Sequence, residues 1–269
     1  MCLILFSIRH HPGYALIIAA NRDESYVRPS AALGFWPDAP HIAAGRDLEA
    51  GGTWLGITRT GRWAALTNFR QAGSYRSGSP SRGRLAADFL TGSVPPARYV
   101  EQLERHAHEF NGFNLLVGDA RCVYYLSNRE ERSRPVSRGV HGLSNHLLNT
   151  PWPKVELGKR ALSGLPDGPK EAIADALLDC LRTRDVAVDT VLPDTGVGLA
   201  GERVLSPVFI ASERYGTRAS TVILLDRFGE VFIAERGFGP FGVPQGSTQL
   251  AFSLDRDADT VGAAASGGA

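Results

Sequence analysis

A chain of 269 residues with 43% hydrophobic content is long enough to bury a sizeable core, as one large domain or two small ones. Its 29 Lys and Arg against 28 Asp and Glu leave a formal charge of +1, so no global field points to nucleic acid or an anionic membrane. Cys2, Cys122 and Cys180 lie far apart with no Cys-x-x-Cys pair, which argues against a zinc site or a disulfide framework and suits a reducing compartment.

The run Cys2-Leu3-Ile4-Leu5-Phe6-Ser7-Ile8 reads as a β-strand. It is too short for the apolar region of a signal peptide and has no basic segment before it. Residues 14–20 form a second strand, paired with the first across a His-Pro-Gly turn. A second hairpin pairs 53–58 with 63–68. Residues 70–82, rich in Ser, Gly and Arg, read as a mobile surface loop. Helical periodicity follows at 83–91 and at 96–109, where Pro95-Pro96 is a start signal. Strands are predicted at 112–118 and 122–126, then helices near 153–163 and 169–183. A polar, Gly-containing segment over 185–204 leads to strands at 207–211, 219–226 and 230–235. The Ala-Gly-Ser stretch 257–269 reads as a disordered tail. No stretch approaches the ~20 apolar residues of a membrane helix. A cytoplasmic protein without a membrane span is expected.

Hairpins, helices, hairpins, helices and a closing meander do not make alternating β-α-β units. The order favours an α+β arrangement, two antiparallel sheets with helices on the outer faces, as a single domain over 1–256.

Chemistry concentrates where strands end. Loss of Met1 would leave Cys2 with a thiol to attack a carbonyl and an α-amine, pKa roughly 7.7–8.0, to carry the proton. The strand over 14–20 runs into Asn21-Arg22-Asp23-Glu24, the strand over 63–68 ends at Asn68, and Gly142-Leu143-Ser144-Asn145 precedes a Pro-Trp-Pro helix start. An asparagine amide is a neutral donor suited to an oxyanion in acyl transfer. Cys2, Asp23, Asn68 and Asn145 are therefore the catalytic candidates, with Asn21, Arg22 and Arg218 as ligand-binding candidates. Arg22 and an α-ammonium should hold the Cys2 thiol below its free value, so that iodoacetamide at pH 7 favours Cys2 over Cys122 and Cys180.

The blocks Ala19-Ala20-Asn21-Arg22-Asp23-Glu24, Gly51-Gly52-Thr53-Trp54-Leu55-Gly56, Ala65-Leu66-Thr67-Asn68, Asn111-Gly112-Phe113-Asn114-Leu115, Gly142-Leu143-Ser144-Asn145 and Tyr215-Gly216-Thr217-Arg218 closely resemble the NRDE family, the transport-and-Golgi-organisation protein family. The resemblance implies an N-terminal-nucleophile (Ntn) hydrolase fold, a four-layer αββα sandwich. It also implies a role in haem trafficking or in lipid and acyl-CoA homeostasis. More distantly, the chain is similar to bile-salt and penicillin V acylases. In that likeness Cys2 matches the nucleophile, Asn21 and Asp23 match a paired Asn and Asp, and Asn68 and Asn145 match two later asparagines. Where those acylases carry arginine this chain has Ala20, and its own arginine falls at Arg22. A displacement of two keeps the same face only if the strand continues.

Two functions follow as expectations. One is a carrier that holds an anionic amphiphile, haem or acyl-CoA, in a Cys2-centred cleft with no required cofactor. The other is an N-terminal cysteine amidohydrolase acting on an amide or thioester. For haem, no Cys-x-x-Cys-His motif is present, and among the seven histidines His141 and His146, which bracket the Gly-Leu-Ser-Asn segment, are the pair of interest. Phe35-Trp36-Pro37 and Trp54 read as core aromatics or as the lining of an apolar groove.

Overall fold

The computed structural model describes residues 2–119 and 121–255, so the tail expected at 257–269 lies outside the described residues. One antiparallel sheet contains β1 (Cys2–Ile8), β2 (Tyr14–Ser25), β10 (Gly139–Leu143), β11 (Tyr215–Asp226), β12 (Glu230–Phe238) and β13 (Pro244–Ser253), in the order β10-β1-β2-β11-β12-β13. The other runs β3-β4-β5-β6-β7-β8-β9, built from β3 (Ser30–Trp36), β4 (Ala39–Asp47), β5 (Leu55–Thr58), β6 (Trp63–Asn68), β7 (Phe113–Gly118), β8 (Val123–Ser127) and β9 (Arg134–Pro135). The helices are α1 (Gly83–Thr91), α2 (Pro96–Glu104), α3 (Pro153–Ser163), α4 (Lys170–Cys180) and α5 (Gly198–Leu205).

Side-chain alternation along the strands sorts the apolar residues into three cores. Ile4, Phe6, Ile18 and Ala20 meet Ile57, Trp63, Ala65 and Leu116 between the two sheets. Leu3, Leu5, Ile17 and Ala19 point the other way, onto Val155 and Leu162 of α3 and Ile173 and Leu177 of α4. Ile42, Ala64, Leu66 and Leu115 pack on Leu85 and Phe89 of α1 and Val100 of α2. The layers are thus helices, sheet, sheet, helices, the αββα sandwich that the resemblance implies. Because both faces of β1 are covered, its sequence is a continuous apolar run instead of an alternating one. Each fully buried Leu, Ile or Phe contributes about 1.5–3 kcal/mol. Among the described residues no helix is long and apolar enough to cross a membrane.

Several elements differ from the sequence reading. Strand β2 does not stop at residue 20 but runs to Ser25, because β11 pairs with it as far as Ser25. Strands β3 and β4 were not expected: Ser30-Ala31-Ala32 and Ala43-Ala44-Gly45 have small side chains of low strand propensity, and the sheet neighbours impose the conformation. Strand β13 is a polar, exposed edge and so lacks the apolar signal. The segment 185–204 leads into α5, while 207–211 is no strand and only Ala211 makes an isolated bridge, to Gly216. The helix expected over 96–109 ends at Glu104 and is followed by a separate short turn of 3₁₀ helix, Ala107–Glu109, and the helix over 169–183 is Lys170–Cys180.

Gly52 sets how closely the sheet meets α1. A Cβ there would lie 2.4 Å from the carbonyl carbon of Gly83 and 2.8 Å from the amide of Arg84, both backbone atoms that cannot rotate away. Thr53 donates to the Gly83 carbonyl at 3.1 Å across the same contact. Gly52→Ala should therefore cost about 1–3 kcal/mol by overpacking, read as a lower urea midpoint with an unchanged slope.

Candidate active site

The Asn21-Arg22-Asp23-Glu24 tetrad lies inside β2, so successive side chains leave opposite faces. Arg22 shares the inter-sheet face of Ala20, which answers the displacement noted above: the strand continues and the arginine stays on that face. Asn21 and Asp23 face the α3–α4 layer. The Asn21 amide donates to the carbonyls of Leu181 and Val208, both at 2.8 Å, and its carbonyl accepts from Ser220 at 2.6 Å. Asn21 thus fastens the sheet to the helix layer and lines no cavity described below. Asp23, 1% exposed, accepts from the Thr217 hydroxyl at 2.7 Å, and its backbone carbonyl accepts from the Tyr215 phenol at 2.9 Å.

Cys2 stands directly opposite Arg22 in the β1–β2 ladder and lines a cleft of about 280 Å³. Arg22, Asp23 and Asn68 line the same cleft, with Thr53, Trp54 and Arg82. Cys2 is half-buried, and the protein around its sulfur pushes the thiol up from its ordinary value; the Asp23 charge adds to the rise. The N-terminal ammonium pulls hardest the other way, followed by the Asp23 backbone amide and the Arg22 guanidinium, and together they do not offset burial. With Met1 in place, desolvation outweighs the charges that favour a thiolate. Cys122 and Cys180 are also raised, by burial first.

Asn145 sits behind the cleft and does not line it. Fully buried, it donates to the Asn68 backbone carbonyl at 2.9 Å, and its own carbonyl accepts from Ser144 at 3.4 Å. The Ser144 hydroxyl is also within 3.2 Å of the Cys2 carbonyl, and Thr67 donates to the Ser144 carbonyl at 2.7 Å. Two of the recognisable sequence blocks therefore meet as a buried polar wall that fixes Cys2 and Asn68 through the backbone.

Arg22 is 5% exposed, donates to Ser30 at 3.3 Å and sits over Trp54, 4.2 Å from the ring centroid. Arg22 and Trp54 also line a second groove of about 360 Å³ that holds Arg218 and Glu235. Arg218 arrives there by a register break: Thr217 pairs with Asp23 and Ala219 with Arg22, so Arg218 is the extra residue of a β-bulge. Its guanidinium donates to the carbonyls of Ser25 and Arg28. Burial, and then the neighbouring Arg22 charge, push Arg218 below the ordinary arginine range. Glu235, buried in the groove floor, accepts from the Leu33 amide and the Thr221 hydroxyl, both at 2.7 Å, and burial pushes its carboxyl up.

Sequence reasoning missed Arg82, Glu235, Tyr215 and Lys154 as site residues. Arg82 sits where the supposed loop 70–82 meets α1, and lone Arg, Glu or Lys side chains carry no motif; Tyr215 alone lay inside a recognised block. The histidines of interest are structural. Ring nitrogens of His141 meet the Ser137 carbonyl at 2.9 Å and the Asn149 amide at 3.0 Å, while His146 meets the Thr150 hydroxyl at 2.9 Å. Neither lines the cleft or the groove. Trp36 belongs to the outer core and Trp54 to the cleft wall.

Because iodoacetamide reacts with the thiolate, a raised thiol reacts more slowly below its midpoint. Cys2 in the native protein should alkylate more slowly at pH 7 than in the urea-unfolded chain, and its rate should keep climbing above the ordinary thiol range. Native labelling at pH 7 faster than in urea would contradict this.

The family described as Transport and Golgi organisation 2 matches residues 1–240. The Transport and Golgi organization protein 2 homolog of Bos taurus is 38% identical over 256 residues, covering 88% of this chain and 92% of that protein. The Homo sapiens homolog is 37% identical over 260 residues, and Transport and Golgi organization protein 2 of Drosophila melanogaster 29% over 273. The human match covers 88% of this chain and 92% of that protein, and the fly match 90% and 95%. Among solved structures, the Caenorhabditis elegans N-acylethanolamine-hydrolyzing acid amidase ortholog is similar at a TM-score of 0.48 and 14% identity, covering 83% of this chain and 92% of that one. A C2A mutant of conjugated bile acid hydrolase from Clostridium perfringens reaches 0.43 at 11% identity, covering 94% and 92%. The chain belongs to the Transport and Golgi organisation 2 family.

Proposed function

We propose that the chain binds an anionic amphiphile across the thiol cleft and the adjoining groove, with Arg22 as the shared contact. The observation that carries this reading is the pair of cations, Arg22 and Arg218, that line one groove next to Cys2. Two guanidinium groups forced together are each other's unfavourable neighbour, and a bound carboxylate or phosphate relieves that repulsion with charge-assisted, bidentate hydrogen bonds. Apart from Trp54, whose ring Arg22 covers, the groove walls Ala31, Ala32, Ala219, Gly237 and Gly246 are small. This favours an extended acyl-CoA-like molecule over the flat macrocycle of haem, and the histidines engaged within the fold offer haem no axial ligand at the cleft.

A second reading, an N-terminal cysteine amidohydrolase, is favoured by the convergence of Cys2, Arg22, Asp23 and Asn68 on one cleft. The Cys2 thiolate would attack the carbonyl carbon of an amide or thioester, the amine or thiol would leave with the proton, and water would release the acyl group. A resting thiol raised by burial makes this reading the weaker one. It also needs Cys2 to carry the free α-amine, which the intact mass of the purified protein reads directly.

Titration of haem and of palmitoyl-CoA into the parent, Arg22→Ala and Cys2→Ala separates the two. Arg22→Ala should weaken binding of the anionic ligand by about 1.5–3 kcal/mol, roughly ten- to a hundredfold in Kd. Cys2→Ala, which removes little contact area, should leave Kd within about twofold. Unchanged binding in Arg22→Ala, or turnover of palmitoyl-CoA by the parent that Cys2→Ala abolishes, would overturn the carrier reading.

A further inference from the structure

The sandwich has another opening between its sheets, at the end away from Cys2. A cavity of about 140 Å³ lies where β1 ends, β2 begins and β11 ends on one sheet, facing the starts of β6 and β8 on the other. Cys2 and Ile8 are the two ends of β1, so at ~3.3 Å per residue the strand separates this cavity from the thiol by roughly 20 Å. It shares no described lining residue with the cleft or the groove.

The interior of the cavity is an end of the inter-sheet core. Leu16, Trp63, Val123 and Leu225 line it, each belongs to that core, and each is at most 5% exposed. The Trp63 ring lies against Gly118, its ladder partner, where a Cβ would come within 2.6 Å of the indole nitrogen. That wall is therefore fixed by backbone.

The rim has the opposite character. Arg9, Arg121 and Arg138, all exposed, come from the turns that follow β1, β7 and β9. The one carboxylate among the described lining residues is Asp119, whose Oδ1 already accepts from the Arg121 and Cys122 amides at 2.8 and 3.0 Å. Among the described residues, neither Arg121 nor Arg138 makes an ion pair. Arg9 holds left-handed backbone, φ 47°, a conformation that costs a residue with a side chain some strain.

We propose that this cavity binds a small carboxylic acid with a compact apolar body, aryl or short and branched, its body in the slot and its carboxylate on the Arg121 and Arg138 guanidinium groups. Volume sets the size: a cavity of roughly 150 Å³ accommodates a benzene ring, and neither a palmitoyl chain nor haem fits such a space. Exposed arginines alone would take any anion weakly and lose it to salt. The apolar slot beneath them adds burial of the body to bidentate binding of the carboxylate, and so selects acids that carry one. The proposal does not rest on the amphiphile reading, whose ligand is too large for this slot.

The test uses the full chain and benzoate. Acetate supplies the charge without the body and benzyl alcohol the body without the charge, all at one ionic strength. The Trp63 indole N–H resonance and the iodoacetamide labelling rate of Cys122 report on this cavity, since both residues line it and neither lines the Cys2 cleft. Benzoate should shift the resonance saturably and slow Cys122 labelling, while acetate and benzyl alcohol should each bind at least about tenfold more weakly. Arg121→Gln combined with Arg138→Gln should raise the benzoate Kd about tenfold or more. No saturable shift with benzoate, an equal response to acetate or to benzyl alcohol, or an unchanged Kd in the double variant overturns the proposal. Should the double variant fail to fold, the three titrations of the parent decide alone.

Discussion

A strand covered on both faces leaves no solvent for a polar side chain, and β2 carries Asn21, Arg22 and Asp23 through such a position. Every one of those groups must find a partner inside the protein or destabilise the fold by several kcal/mol. The rest of the architecture answers that demand. Asn21 draws in two carbonyls from beyond α4, Asp23 takes the Thr217 hydroxyl, and Arg22 takes Ser30 and the face of Trp54. The same partners that satisfy the tetrad hold the helix layer, β11 and the start of β3 in place. Arg22 and Asp23 line the cleft, and the tetrad as a whole clamps the fold.

Electrostatics at the thiol is a contest between enclosure and charge. Arg22 stands across the ladder from Cys2 and favours a thiolate, yet the surrounding protein excludes the water that would stabilise one. The result is a thiol guarded by a cation that does not ionise it in the resting state. An arginine so placed acts more strongly on what enters the cleft than on the residue beside it, since an incoming anion brings its own charge into the same enclosed space.

Much of this was legible in the sequence because it rests on local rules. Apolar runs announced strands, hairpin turns announced antiparallel pairing, and the separation of strand and helix blocks announced the layers. Cys2, Arg22, Asp23 and Asn68 do share one cleft. What was not legible depends on the third dimension. Strands β3 and β4 are dominated by Ala and Gly positions of low strand propensity and are held by the neighbours that pair with them. Asn145 looks like an oxyanion donor at a strand end, but the fold turns its amide onto the Asn68 backbone. The thiol's shift follows from enclosure, which no run of residues encodes. Lys154, after a proline at a helix start, reads as an ordinary solvated lysine until α5 is seen to close over it.

The bulge at Arg218 separates two properties that are usually locked together in a sheet. The residues before and after it are already in register with Asp23 and Arg22, so the arginine occupies a backbone slot that the ladder does not need. A one-residue slip elsewhere in β11 would turn every core side chain to the wrong face. Loss of this one codon would instead straighten the strand and leave both flanks pointing as before. The groove's charge is therefore heritable as an insertion or deletion as well as a substitution, and a lineage can drop or regain a cation there without rebuilding the sandwich beneath it.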